Sequence, residues 1–367
     1  MTTSLIGQSI GRYHILEQLG EGGMATVYKA YDTRLETDVA VKVIRAENLT
    51  IGTMDQALIR FEREAKALAR LTHPNIVKVI DYGEYEGKPY LVMEFLPSGT
   101  LKKKLGKQMP WQEALSLLLP IAHALDFAHR QNMIHRDVKP SNILITADGE
   151  PMLTDFGIAK ILDLNDTADL TGTGVGIGTP EYMAPEQWTG NPSPKSDQYA
   201  LGVVLYEILT GRKPYPTDTP MAILLKQVNE PLPSPREFVR DLPEKVEKML
   251  LKTLAKDPED RYANMGDFAS AAESMLRNTE QQASVSAVRP DGGTIASARS
   301  TYQKPEEPTI LDSAVEQEFP TSQPDGFQAF PENILSALLH NWVLSLIVGV
   351  IMAIALILVI AAIIAFW

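Results

Sequence analysis

Ile134 to Ile145 reads IHRDVKPSNILI, and this stretch decides how the whole chain is read. It places His135, Arg136, Asp137, Lys139 and Asn142 close together between apolar flanks. A solvated loop can carry such a run of charge. This one also puts an amide five residues after an acid and then enters a strand-like ILIT. The next motif, LTDFGIAK at 153–160, offers Asp155 with Gly157 two residues on. Asn142 and Asp155 are hard oxygen donors of the kind that hold Mg²⁺ together with phosphates. Asp137 is then left to accept a hydroxyl proton.

Working back toward the N-terminus, Leu19 to Ala30 reads LGEGGMATVYKA, with Gly20, Gly22 and Gly23 in a short turn. Alone, that turn is either a phosphate cradle or a plain hairpin. A strict G-x-G-x-x-G would end in glycine at position 25, where this chain has Ala25. A methyl group there requires only a φ that alanine adopts, so the hairpin is expected to form. Further on, VAVK ends at Lys42. In a strand, Val39, Val41 and Val43 face one way and Ala40, Lys42 and Ile44 the other. A lysine on that apolar face needs an anionic partner, either a carboxylate or a bound phosphate.

Two acids are available in RFEREAKAL. Glu62 and Glu64 lie roughly 200° apart around a helix, so they cannot face the same way. Glu64 follows the spacing of Ala57, Phe61 and Leu68 and is the inward candidate, whereas Glu62 reads as a surface charge. Around these motifs the patterning divides. YHILEQL, ATVYKAYD and DVAVKVI read as strands, and IVKVIDYGEYEGKPYLVMEFL as two or three more. DQALIRFEREAKALARL has helical spacing and is followed by Pro74. After Trp111 the segments WQEALSLLLPIAHALDFAHRQ, SDQYALGVVLYEILTG and EKVEKMLLKTLA are helical. A small β-rich lobe and a larger helical lobe, with a cleft between them for a ligand, follow from this order.

These motifs, in this order, resemble the eukaryotic-like (Hanks-type) serine/threonine protein kinases of bacteria, from about Tyr13 to about Met275. The matching set is Gly20 to Val27, Lys42 in VAVK, Glu64, HRDVKPSN, DFG, and APE at Ala184 to Glu186. The resemblance implies an α+β fold, bilobal, and a non-specific serine/threonine protein kinase that transfers the γ-phosphoryl of ATP with Mg²⁺, or Mn²⁺ in its place. Lys42 would hold the α- and β-phosphates and pair with Glu64. Asn142 and Asp155 would bind the metal, Asp137 would orient the acceptor hydroxyl, and Lys139 would neutralise the γ-phosphate. Met93 would be the gatekeeper, with the backbones of Glu94 and Leu96 at the adenine edge. Leu19, Gly20, Gly22, Val27 and Ala40 would complete the nucleotide site. Lys139 and Thr179, in DVKPSN and GTPEYMAPE, imply Ser/Thr rather than Tyr acceptors. Asp197 would bind the catalytic-loop backbone, and Glu186 would pair with Arg261. Arg136 would pair with a phosphorylated activation loop, for which Thr171 and Thr173 are the candidate sites. His123 and His129 read as packed or surface histidines. Loss of Lys42, Asp137 or Asp155 would have favoured a scaffold without catalysis; all three are present.

Composition adds limits. With 34 basic and 46 acidic residues the formal charge is −12, which argues against a nucleic-acid partner. There are no cysteines, hence no disulfides and no thiolate metal site. The N-terminus lacks a basic run before an apolar core and does not read as a signal peptide. The expected organisation is a leader at 1–12, a kinase domain at 13–278, a disordered juxtamembrane linker at 279–333 and a transmembrane segment at 334–367. Trp342 to Phe366 carries no charge, and about 20 apolar residues suffice to span a bilayer as a helix. Cytoplasmic ATP would place the kinase lobe inside a cell membrane crossed once by this helix, in contact with lipid. Protein substrates and a homodimer are the implied partners. A forkhead-associated-domain protein reading phosphorylated Thr309 in EEPTILDSA is a further candidate.

Overall fold

The structure, a computed structural model, describes residues 4–23, 25–45, 51–157, 180–217 and 219–287. Eight strands are present among them: β1 (Ser9–Ile10), β2 (Tyr13–Glu21), β3 (Ala25–Asp32), β4 (Thr37–Ile44), β5 (Val79–Tyr85), β6 (Lys88–Glu94), β7 (Ile143–Ile145) and β8 (Pro151–Leu153). The first six form an antiparallel sheet in the order β1-β2-β3-β4-β6-β5, and the last two a separate pair. The helices are α1 (Ile51–Ala69), α2 (Trp111–Arg130), α3 (Pro194–Thr210), α4 (Pro220–Asn229), α5 (Glu244–Thr253) and α6 (Met265–Ala287). A β-rich lobe is thus followed by a helical one.

The alternation read in β4 is the one that builds the first lobe. Val39, Val41 and Val43 pack with Ile10, Tyr13, Ile15, Tyr28 and Val92 on one face of the sheet. Ala40 and Ile44 pack on the other face with Phe61, Ala65 and Leu68 of α1. Those three sit at helical spacing and close the apolar stripe that α1 turns to the sheet. Residues 1–12, read as a leader, contribute β1 and the buried Ile10 to this sheet. At the other end α6 continues to Ala287, past residue 278.

The helical lobe is built around α2 and α3. Ala114, Leu118, Ala122, Leu125 and Ala128 of α2 are buried, and nearly every residue of α3 from Ser196 to Thr210 is too. Gly202 lets α3 approach α5: a Cβ there would meet Thr253 Cγ2 at 2.8 Å. Gly211 ends α3 at φ +73° and returns its N–H to Glu207 O, a left-handed cap that glycine adopts without steric cost. Among the described residues no helix is long and apolar enough to cross a membrane. The apolar segment Trp342–Phe366, the linker with Thr309, and Thr171, Thr173 and Thr179 lie outside the described residues.

Candidate active site

The Gly-rich turn joins β2 to β3. Gly20 pairs with Val27, and Gly22 N–H donates to Ala25 O at 2.9 Å, closing the hairpin. Ala25 is the first residue of β3 and is buried against Ile44, so the methyl group fills core instead of straining the turn. A Cβ on Gly20 or Gly23 would meet nothing within 4 Å. The absence of side chains there leaves bare backbone at the turn. Glu21 anchors the tip through Arg45 and Gln18.

Lys42 lies on β4 opposite Val27 and Leu91 and points to the side that faces α1. Its Nζ is 2.9 Å from Asp155 Oδ1, with both side chains mostly shielded. The Lys42–Glu64 pair expected from the resemblance is not formed. Glu64 Oε1 instead accepts from Arg63 at 2.9 Å. Arg63 is a sequence neighbour on the exposed side of α1, so this contact orders no distant element. Asp155 takes the place of Glu64 at the lysine. Glu64 is still the more shielded acid of α1, at 22% exposure against 53% for Glu62, which pairs with Lys66. A cavity lined by Lys42, Phe61, Leu68, Asp155 and Phe156 lies against the Lys42–Asp155 pair. Met93 also lines it and is buried, paired across the sheet with Ala40 and Val79. Glu94 N–H donates to Lys78 O, so its backbone would meet a base edge through the carbonyl. Leu96 is half-buried beyond it.

The catalytic-loop residues converge. Lys139 Nζ lies 2.8 Å from Asp137 Oδ2. Asn142 is buried and donates from Nδ2 to Asp137 O at 2.8 Å and to Asp137 Oδ2 at 3.0 Å. Asp137 N–H in turn donates to His135 Nδ1 at 3.2 Å. That bond fixes the His135 tautomer: Nδ1 accepts, so Nε2 carries the hydrogen and donates to Thr154 O at 2.9 Å. Burial drives the His135 pKa down from its ordinary value, against the upward pull of Asp197 and the Thr154 carbonyl. A neutral imidazole thus ties the loop before Asp137 to the strand end before Asp155, and its ring packs on Phe156 with centroids 4.5 Å apart. Arg136 and Asp155 hold positive φ values of 64° and 62°. Side-chain residues in that region are strained and persist where their surroundings hold them.

Asp197, almost fully buried in α3, accepts from Arg136 N at 2.8 Å through Oδ1 and from His135 N at 2.8 Å through Oδ2. Two backbone donors satisfy a carboxylate that would otherwise be costly to bury. His129 Nε2 adds a third contact to Oδ2 at 2.8 Å. His129, expected to be packed or at the surface, sits in the last turn of α2, a position that gives no sign of this partner. His123 is a surface residue paired with Glu273. Glu186 receives a bidentate pair from Arg261 at 2.7 and 2.9 Å and a hydroxyl bond from Ser196 at 2.7 Å. Burial works to raise the Glu186 carboxyl, and Arg261 with Ser196 overcomes it, leaving the pKa below the usual carboxylate value. Gln187, which no sequence motif singles out, joins Ala184 N to Arg136 O through its side chain.

The Protein kinase domain profile matches residues 13–276. The chain belongs to the protein kinase family. Over 261 residues it is 41% identical to the probable serine/threonine-protein kinase PknB of Lactococcus lactis, covering 70% of this chain and 41% of that protein. It is 41% identical over 268 residues to the serine/threonine-protein kinase PrkC of Bacillus subtilis, covering 72% of this chain and 40% of the relative. The chain therefore spans about two fifths of the length of these curated relatives. Among solved structures, the Mycobacterium tuberculosis PknI kinase domain superposes with a TM-score of 0.58 at 27% identity, over 75% of this chain and all of that one. PpkA-294 in its apo form gives 0.60 at 27% identity over 74% of this chain and all of that one. Both likenesses place the β-rich and helical lobes in the kinase fold.

Proposed function

We propose that this protein is an ATP-dependent serine/threonine protein kinase. The observation that carries the reading is the convergence of Asp137, Lys139 and Asn142 on one carboxylate, with Asp155 and Lys42 paired at the lobe junction. Nucleotide would enter beneath the turn at Gly20 and Gly22, between Leu19, Val27 and Ala40 above and the Met93–Leu96 segment behind. Lys42 would exchange Asp155 for the α- and β-phosphates. Asn142 Oδ1 and the Asp155 carboxylate are oxygen donors of the type Mg²⁺ prefers, so the residues present fit the metal. When bound, the metal supplies positive charge against the phosphates.

Asp137 would then accept a hydrogen bond from the acceptor hydroxyl, align its oxygen with the γ-phosphorus and take the proton as that oxygen bonds to phosphorus, while the bond from phosphorus to the β–γ bridging oxygen breaks and ADP leaves. Lys139, already beside the same carboxylate, offsets charge on the transferred group. The experiment is transfer of label from [γ-³²P]ATP to a basic protein substrate, with Asp137→Asn as control. Label in serine and threonine from the wild type alone supports the reading; no transfer by wild-type protein that binds ATP restores the scaffold alternative.

Autophosphorylation at Thr171 or Thr173 and anchoring by Trp342–Phe366 extend this proposal. The uncharged run supports the anchor, and membrane fractions retaining the full chain at high salt, but not a chain cut before residue 334, would test it. A homodimer and a forkhead-associated partner stay part of the proposal only as binding assays on the phosphorylated full chain.

A further inference from the structure

The peptide unit between Arg136 and Asp137 is held at both of its polar ends. Its N–H, on Asp137, donates to His135 Nδ1 at 3.2 Å. Its carbonyl, on Arg136, accepts from Gln187 Nε2 at 3.1 Å. A peptide is planar, so two bonds on opposite edges fix its rotation. That rotation sets the direction in which Asp137 leaves the backbone. The need for such a hold is visible at Arg136 itself, whose φ of 64° is unfavourable for a residue with a Cβ.

The other end of the Gln187 amide accepts from Ala184 N at 3.0 Å. Its orientation is therefore determined: the backbone N–H requires the oxygen, and the backbone carbonyl requires the NH₂. Ala184 is fully buried and directly follows the Pro180–Met183 segment. The neighbours of Gln187 are themselves fixed. Glu186 is locked by Arg261, and Trp188 Nε1 donates to the buried Gln227, which also donates to Met183 O at 3.0 Å. Gln187 thus reaches the catalytic loop from a rigid base.

We infer that Gln187 is a positioning residue that acts through the Arg136 carbonyl to set the orientation of Asp137, coupling the segment at Pro180–Ala184 to the catalytic carboxylate. This rests on the kinase reading above for its effect on rate, and on the geometry alone for its effect on the loop. The bland alternative is that Gln187 only satisfies Ala184 N–H. The two are separable, because Gln187→Glu keeps the size and the acceptor for Ala184 while removing the donor to Arg136. Gln187→Met removes both.

The test uses the full chain and three readouts: steady-state kinetics with a peptide acceptor, ATP affinity, and amide exchange across residues 134–138. Gln187→Glu is expected to lower kcat about tenfold, equivalent to about 1.4 kcal/mol at the transition state. KM for ATP stays unchanged, and exchange at the Asp137 amide speeds up. Gln187→Met is expected to match it in kcat. Wild-type kcat and wild-type protection in Gln187→Glu would overturn the inference. A wild-type chain without transfer would defeat the kinase reading, and the exchange measurement would then still decide the Gln187 contact: unchanged protection refutes it.

Discussion

Lys42 Nζ meets Asp155 Oδ1 at 2.9 Å, while Glu64, its expected partner, is turned to Arg63. The pair is mostly shielded from water, so its two members should be energetically coupled, whereas the ion pair of Glu64 is made with an exposed arginine. A double-mutant cycle on thermal unfolding, with Lys42→Met and Asp155→Asn, should show coupling of about 1 kcal/mol. The same cycle between Lys42→Met and Glu64→Gln should show none within about 0.5 kcal/mol in the absence of nucleotide. Coupling to Glu64 instead would contradict the arrangement.

Asp197 satisfies two backbone N–H groups from within α3. Asp197→Asn turns at least one acceptor into a donor facing a donor, and should destabilise by about 3 kcal/mol. His129→Ala should cost clearly less, since Asp197 keeps both backbone bonds. Urea unfolding of the two variants measures the order, and a reversed order would refute this account of the loop.

Arg261 has no exposed side-chain surface and serves Glu186 together with the carbonyls of Ala255, Lys195 and Lys256. A lysine cannot reproduce that fork. Arg261→Lys should therefore lose about 2–3 kcal/mol even though the charge is kept, and Arg261→Ala about 3–5 kcal/mol. Equal stability of Arg261→Lys and wild type would show that charge alone suffices.

The buried His135 and the half-buried His73 both have pKa values below the ordinary histidine value, in each case chiefly through desolvation. Both bind protons more readily when unfolded. Stability is then full above about 6.5, the unfolded value, and falls as pH drops below it toward the depressed folded values. In His135→Asn the slope of unfolding free energy between pH 6.5 and 5 should flatten. An unchanged slope would mean that His135 is not a neutral bridge.

Much of this was readable before the structure. The valine alternation of β4, the helical spacing of Phe61 and Leu68, and the compact set Asp137–Lys139–Asn142 each rest on local periodicity or short spacing. The partner of Lys42 did not, because Asp155 and Glu64 are both acids far away in sequence, and only the course of the chain at Asp155 selects between them. The partners of His129 and Gln187 are hidden in the sequence for a related reason. Their bonds go to Asp197 and to a backbone carbonyl, and neither partner can be read from residue type at a fixed offset.

The most direct test of the central claim compares wild type and Asp137→Asn in transfer of the γ-phosphoryl from Mg·ATP to serine and threonine of a protein substrate, with ATP affinity measured alongside. General-base assistance and hydroxyl positioning together predict a loss in kcat of about 10²–10⁴, with ATP affinity unchanged. Equal transfer rates in the two proteins would contradict the role assigned to Asp137 and with it the mechanism.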